Sequence, residues 1–295
     1  MDTDAFHKVG GVTYAVSCQM IMRDIDCWEK MHQTIHEYGL IPFFCCSVPG
    51  WSIQEKTVPG SWFTEDDAGE GVLGPWDWKV DVVRQGDIAY GKFLGGKAAF
   101  ATAEWYAHLM NWRRSLPRYR MAEGERFKAV TVSDRLAKAL APAALCAIRE
   151  AGALGNRELR SICTSAVTPG LLRALGAKYK PLLTPSIKKN IMESVMLYLQ
   201  MGTWSVVGDI QRVYNGPSLT YKGWQISSNT TPEAMFGSLE TEAGDIPSWA
   251  ARFESETASD PLQVDCSPEE SRSLIIRHVM ELFPDADPKV LEKMI

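Results

Sequence analysis

No window of this 295-residue chain is apolar for long enough to cross a membrane as a helix. Its acidic start, Met-Asp-Thr-Asp-Ala-Phe, lacks the basic and apolar regions of a secretory leader, so the cytoplasm is the expected compartment and no membrane partner is expected. The seven cysteines form no Cys-x-x-Cys pair. Their odd number and scatter through a chain of this size argue for reduced thiols rather than a disulfide frame. The adjacent Cys45 and Cys46 follow Ile-Pro-Phe-Phe and read as part of a buried edge strand. Also absent are a Gly-x-Gly-x-x-Gly fingerprint, a P-loop, a kinase set and a nucleophile elbow. The run GKFLGGK at 91–97 lacks the P-loop spacing and the Ser/Thr after its lysine, and reads as a turn. No cofactor is therefore expected. There is no internal repeat or low-complexity segment.

What is present is an ordinary globular composition, 45% hydrophobic and 23% charged, in a chain long enough for two or three packed units. The net charge of −5 conceals a strong asymmetry. Residues 1–112 hold 8 Lys/Arg against 15 Asp/Glu, residues 113–189 hold 16 against 5, and residues 190–295 hold 7 against 16. One basic third inside an acidic protein is a footprint of polyanion binding. Pairing of those cations with the acidic flanks is the plainer alternative.

The pattern along the chain predicts an α+β protein. A helix is expected from Trp28 to Tyr38, with Met31 and Ile35 inward and Gly39 as its cap, followed by a short buried strand from Leu40 to Cys46. Residues 79–100 read as three short strands with turns at 85–87 and 94–96, and Thr102 as the cap of a helix to Arg114. Helices are then expected from Ser133 or Asp134 to Gly152, with a kink at Pro142, and over Asn156–Cys163. A loop with a short helix follows to Leu183. The next helix starts with Thr184 as cap and Pro185 at its first position, carries an apolar stripe of Ile187, Ile191, Val195 and Leu199, and stops at Gly202. Two strands across a turn at Asn215–Ser218 complete the order helix, helix, helix, hairpin, which is that of a winged helix-turn-helix. The expected organisation is an N-terminal α/β unit with a Trp-rich segment (1–116), a linker (117–131), a winged-helix domain (132–236) and a C-terminal helical extension (237–295).

Several segments carry a family resemblance: GPWDWK at 74–79, AYGKFLGGKAAF at 89–100, NWRR at 111–114, LQMGTWSVVGD at 199–209, TTPEAMFG at 230–237, and the closing FPDADPKVLEKMI. In these the chain resembles the AlkZ-related bacterial family, distant kin of the AlkZ/YcaQ DNA glycosylases. The resemblance implies winged helices and a nucleic-acid connection. The glycosylases position water and steady a cationic sugar with a Gln-x-Gln or Gln-x-Asp pair, so an oriented amide or carboxylate is the main catalytic need. This chain has no Gln-x-Gln. Gln200-Met-Gly202 is the nearest match within the resembling segments, and Gln263 with Asp265 has the spacing but lies in a late acidic loop. The resemblance therefore leaves activity open.

The candidate DNA contacts are Ser186, Lys188, Lys189 and Asn190 at the leading end of the third helix, where backbone amides also favour anions. Arg212 and Lys222 on the wing and the cluster Arg113, Arg114, Arg118 and Arg120 complete the set. Six of the ten tryptophans fall between residues 51 and 112. PWDW reads as a strand with Trp76 and Trp78 on one side and Asp77 opposite. With Trp105 and Trp112 these rings form either a large aromatic core or a pocket for an extruded base, with Asp77 or Glu104 as its carboxylate. His32 and His36 share one helical face with Glu29 a turn earlier, a spacing able to hold a metal. No third ligand is assignable from the sequence, so a paired surface site without metal is expected. The functional expectation is binding of duplex DNA, plain or damaged, with a link to repair of alkylated bases. The rival is a regulatory or small-molecule-binding protein that uses the winged helix as a scaffold or protein interface.

Overall fold

The computed structural model describes residues 6–9, 12–15, 24–59, 74–120, 132–174, 185–237 and 262–295. For 6–9, 12–15, 132–134, 172 and 185–189 it describes the backbone alone. The class is α+β, with two three-stranded antiparallel sheets and a separate hairpin of β1 (Phe6–Val9) and β2 (Val12–Ala15). Among the described residues no helix is long and apolar enough to cross a membrane.

Helix α1 (Trp28–Tyr38) buries Met31 and Ile35 and ends as expected at Gly39. That glycine has φ 64°, and any side chain there would run into the Trp105 indole, so the cap needs both the backbone freedom and the empty space. Strand β3 (Leu40–Pro42) is fully buried but stops at Pro42, and Cys45 lies exposed beyond it. Helix α2 (Ile53–Lys56) is a single capped turn. The expected strand through PWDW is instead α3 (Pro75–Arg84). Pro75 at the first helical position and Asp77 in the first turn both favour a helix start, and burial of Trp78, Val80, Val82 and Val83 overrides their β-like pattern. Strands β4 (Ile88–Leu94) and β5 (Lys97–Thr102) close on Gly95 and Gly96, with φ 57° and 77°, and the sheet order is β3-β5-β4. Thr102 does stand before α4 (Ala103–Ser115), but its hydroxyl reaches the Gly39 carbonyl at 3.4 Å rather than capping the helix.

The second half begins with α5 (Val132–Ala151), which runs through Pro142 and stops at Gly152 with φ 73°. Strand β6 (Ala153–Gly155), α6 (Asn156–Ser165), α7 (Pro169–Ala174) and α8 (Pro185–Met201) follow. Of the expected linker 117–131, Pro117–Tyr119 form a short 3-10 turn with Tyr119 buried, and residues 121–131 lie outside the described residues, as do the proposed cap Thr184 and Trp62. Strands β7 (Val206–Tyr214) and β8 (Tyr221–Thr230) form the long hairpin, and β6 adds to the base of β8 to give the order β6-β8-β7. The chain ends with α9 (Pro232–Phe236), α10 (Pro268–Leu282) with a complete capping box of Ser267 and Glu270, and α11 (Pro288–Met294).

Two apolar cores result. One joins α5, α6 and α8 through residues such as Leu140, Ile148, Leu159, Val195 and Leu199. The other joins α1, α3, α4 and the first sheet, and it also includes Val206, Val207 and Ile210 of β7 and Ile275, Val279, Leu291 and Ile295 of the last helices. The expected C-terminal extension thus packs into the N-terminal core.

Arg113 ties these parts together. It is 1% exposed, and its guanidinium donates to the carbonyls of Met201 (2.9 Å), Phe93 (3.2 Å) and Met294 (2.9 Å) and to the main-chain oxygen of Ile295. Burial pushes its pKa down to about 10, which still leaves it charged at neutral pH. Replacing Arg113 by Met orphans four main-chain oxygens from three segments, two of them fully buried, and the expected loss of unfolding free energy is about 3 kcal/mol. Urea unfolding of the variant, followed by circular dichroism, should show a midpoint well below wild type with an unchanged slope; an unchanged midpoint would contradict this role.

Candidate nucleic-acid interface

The β7–β8 hairpin has two unlike faces, set by the alternation of strand side chains. On one face Arg212 and Tyr214 lie across from Gln225 and Tyr221. This face meets α3: Arg212 donates to Asp81 Oδ2 at 2.7 Å and to the Asp77 carbonyl at 2.9 Å. Gln225 Nε2 donates to Asp77 Oδ1 at 3.0 Å and to the Trp76 carbonyl at 2.9 Å. On the other face Lys222, Trp224 and Ile226 stand in solvent, with Trp224 73% exposed. At the turn, Leu219 has φ 52° and is 75% exposed. The row is therefore an exposed apolar strip flanked by one lysine.

Beneath the hairpin is a dense polar cluster. Asp77 is 3% exposed, with the Arg212 Nε 3.9 Å from its carboxylate. The Tyr221 hydroxyl accepts from Gln225 Nε2 at 3.2 Å, and burial, with the Asp77 carboxylate nearby, pushes the phenol up to about 12. Lys79, only 4% exposed, donates to the Trp76 carbonyl at 2.6 Å and lies 3.2 Å from the centre of the Trp76 ring. Burial lowers its pKa to about 7, against a partial counter-pull from Asp77.

The sequence-derived basic set is divided by this geometry. Arg113 is interior, as described. Arg114 donates to Glu233 at 2.6 Å and to the Thr203 carbonyl at 2.7 Å, with its guanidinium 4.2 Å from the Trp204 ring centre. Arg212 is held by the two aspartates of α3. Arg113 is thus buried among main-chain oxygens, while Arg114 and Arg212 are engaged by Glu233 and Asp81. Arg118, Arg120 and Lys222 are exposed, as is Asn190 on α8. The side chains of Ser186, Lys188 and Lys189, at the start of that helix, lie outside the described ones.

The proposed catalytic groups are not brought together. Asp77 is caged under the hairpin, and Glu104 is exposed at the start of α4. Gln200 is buried with both ends of its amide engaged: Oε1 accepts from the Lys92 backbone N–H at 2.9 Å, and Nε2 donates to Asn229 Oδ1 at 3.3 Å. Asn229 donates in turn to Asn156 at 3.1 Å, so an amide chain runs from β4 through α8 to β8 and α6. Gln263 and Asp265 are both exposed, near the start of α10. The tryptophans also serve separate surroundings. Trp78 is in the core, Trp76 carries Lys79, Trp105 stacks on His278 at 3.8 Å, and Trp112 lies 5.3 Å from Arg272. The aromatic-core reading fits them better than a base pocket.

Sequence reasoning missed Asp81, Tyr221, Gln225, Asn156 and Asn229. Asp77 and Asp81 are four apart, so reading Gly74-Pro75 as a helix start would have put both on one face. Nothing local marks the three amides, whose partners come from distant segments. An α+β protein with a helical unit and a long hairpin anchored to an N-terminal sheet domain is the class defined so far. The chain matches the family described as AlkZ related over residues 25–295, and it belongs to that family. Neither a curated protein nor a solved structure matches it.

Lys79 makes stability depend on pH. Its folded pKa of about 7 lies below the ordinary 10.5, so between those values the unfolded chain binds the extra proton. Stability should therefore climb as pH rises from about 7 toward 10, by on the order of 1 kcal/mol per pH unit at most. Urea midpoints at about pH 7 and about pH 9 should separate in the wild type, and much of that separation should vanish in Lys79→Met.

Proposed function

We propose that the protein binds duplex DNA through residues 132–236, read as a winged helix, with α8 toward the major groove and the β7–β8 hairpin as the wing. The observation that carries this reading is the hairpin's outer face, where Lys222 stands beside the solvent-exposed Trp224 and Ile226. A cation there neutralises phosphate, and an exposed ring and aliphatic side chain can press on base edges or an opened step. The element order α5, β6, α6, the short α7, α8 and then the β7–β8 hairpin, with the third strand β6 pairing β8, supports the winged-helix assignment. Exposed Arg157 and Arg160 on α6, with Arg118 and Arg120, add positive charge. Family membership supports a connection to the repair of alkylated DNA.

Binding rather than base excision is what the side chains support best. Excision needs an accessible carboxylate or amide beside the sugar; Asp77 and Gln200 have their oxygens hydrogen-bonded inside the protein, and the exposed Glu104, Gln263 and Asp265 lie on α4 and just before α10, outside the helices and hairpin assigned to DNA. The apolar turn around Leu219 favours one second reading, a protein partner seated on the hairpin.

Fluorescence anisotropy of a labelled duplex between about 50 and 300 mM salt tests this. The expected result is micromolar affinity at low salt, with log K falling by about 0.9 per phosphate neutralised for each unit of log salt. The double variant Lys188→Ala, Lys189→Ala should flatten that slope by about 2, whereas Trp224→Ala should weaken binding about tenfold and leave the slope alone. Millimolar affinity without salt dependence would sink the proposal, and an alkylated duplex left without abasic product would hold it to binding.

A further inference from the structure

His32 and His36 stand one turn apart on α1, and the fold brings them the third group that the sequence could not supply. Asp87 lies in the turn between α3 and β4, where Gly86 has φ 79° and α1 packs against α3. His32 Nε2 lies 3.1 and 3.0 Å from the two Asp87 carboxylate oxygens, and His36 Nε2 lies 2.9 Å from Oδ2. The imidazole centres are 4.6 Å apart, and the three donor atoms all lie within 4.8 Å of one another. Among the described residues this is the cluster of three such side chains with that convergence.

Two imidazole nitrogens and a carboxylate form a donor set for a borderline divalent ion. Bond lengths near 2.0–2.2 Å in a tetrahedral site place ligand atoms roughly 3.3 Å apart, so the present His–Asp distances need to open by only a few tenths of an ångström. The i, i+4 spacing on a regular helix fixes both rings on one side. His32 is partly buried while His36 and Asp87 are about two-fifths and one-third exposed, which leaves room for water as a fourth ligand. A hydrogen-bonded trio without metal uses the same contacts, and the difference between the two is measurable.

We propose that His32, His36 and Asp87 form a divalent transition-metal site, zinc or a similar ion, that clips α1 to the α3–β4 turn. The site is independent of the DNA-binding reading. The ion would hold the N-terminal helix against α3, the same helix that carries the hairpin's anchors Asp77 and Asp81.

The test uses the full-length protein, stripped with chelator and titrated with Co2+ and then Zn2+. One ion per chain is expected, at micromolar affinity or tighter, with the visible absorption of four- or five-coordinate cobalt and no thiolate charge-transfer band. His36→Gln and Asp87→Asn should each weaken binding by about 10–100-fold, and Zn2+ should raise the melting temperature of wild type but not of the variants. Far-ultraviolet circular dichroism of the metal-free variants checks that they fold, which these partly exposed positions permit. Binding equal in wild type and in a His32→Gln, His36→Gln double variant, a thiolate band from the exposed Cys45 or Cys146, or no binding below about 100 μM metal would each overturn the site.

Discussion

The guanidinium of Arg113 is the contact on which the two cores are hung. It points from the last turn of α4 into the protein and is bonded to the end of α8, to β4 and to the end of α11. A cation at a helix C-terminus is favourable in any protein, but here the acceptors belong to segments up to 182 residues away. This buried charge persists because its five donors meet four oxygens in fixed positions, geometry a lysine could not reproduce. Its neighbour Arg114 works alongside it. That residue holds the carbonyl of Thr203, a β-branched residue at φ 59°, and so fixes the strained corner through which α8 passes into β7.

Two further seams use polar chemistry. The chain Lys92 N–H, Gln200, Asn229, Asn156 crosses from the first sheet to the second, and the Asp77–Asp81–Arg212–Gln225 cluster pins the hairpin to α3. Buried amides and charges satisfied in only one arrangement select orientation more than they add stability. The basic character of the middle third therefore has two destinations. Arg113 and Arg114 hold structure together, while Arg157, Arg160, Arg118 and Arg120 face outward.

Much of this was legible before any coordinates. Helices α1, α8 and α10 announce themselves by an apolar stripe and by caps or stops, and Gly95-Gly96 marks the hairpin. Helix α3 was misread because two tryptophans and the valines mimic a strand, although Pro75 after a glycine was the better signal. Strand β6 has three residues and exists only because β8 offers an edge, so no local pattern could reveal it. The site was less legible than the fold. Whether an arginine in NWRR faces in or out depends on acceptors contributed by other segments, and the aspartate beside the two histidines of α1 is 51 residues further on.

The hairpin's inner face has an implication for how such a protein can change. Arg212 and Gln225 anchor the middle of the ribbon to α3, while its base is held by β6, Asn156 and Gln200. The ribbon therefore takes its bearing from both halves of the protein. A shift of α3 against the helical trio would have to bend it, and the exposed tryptophan would swing with that bend.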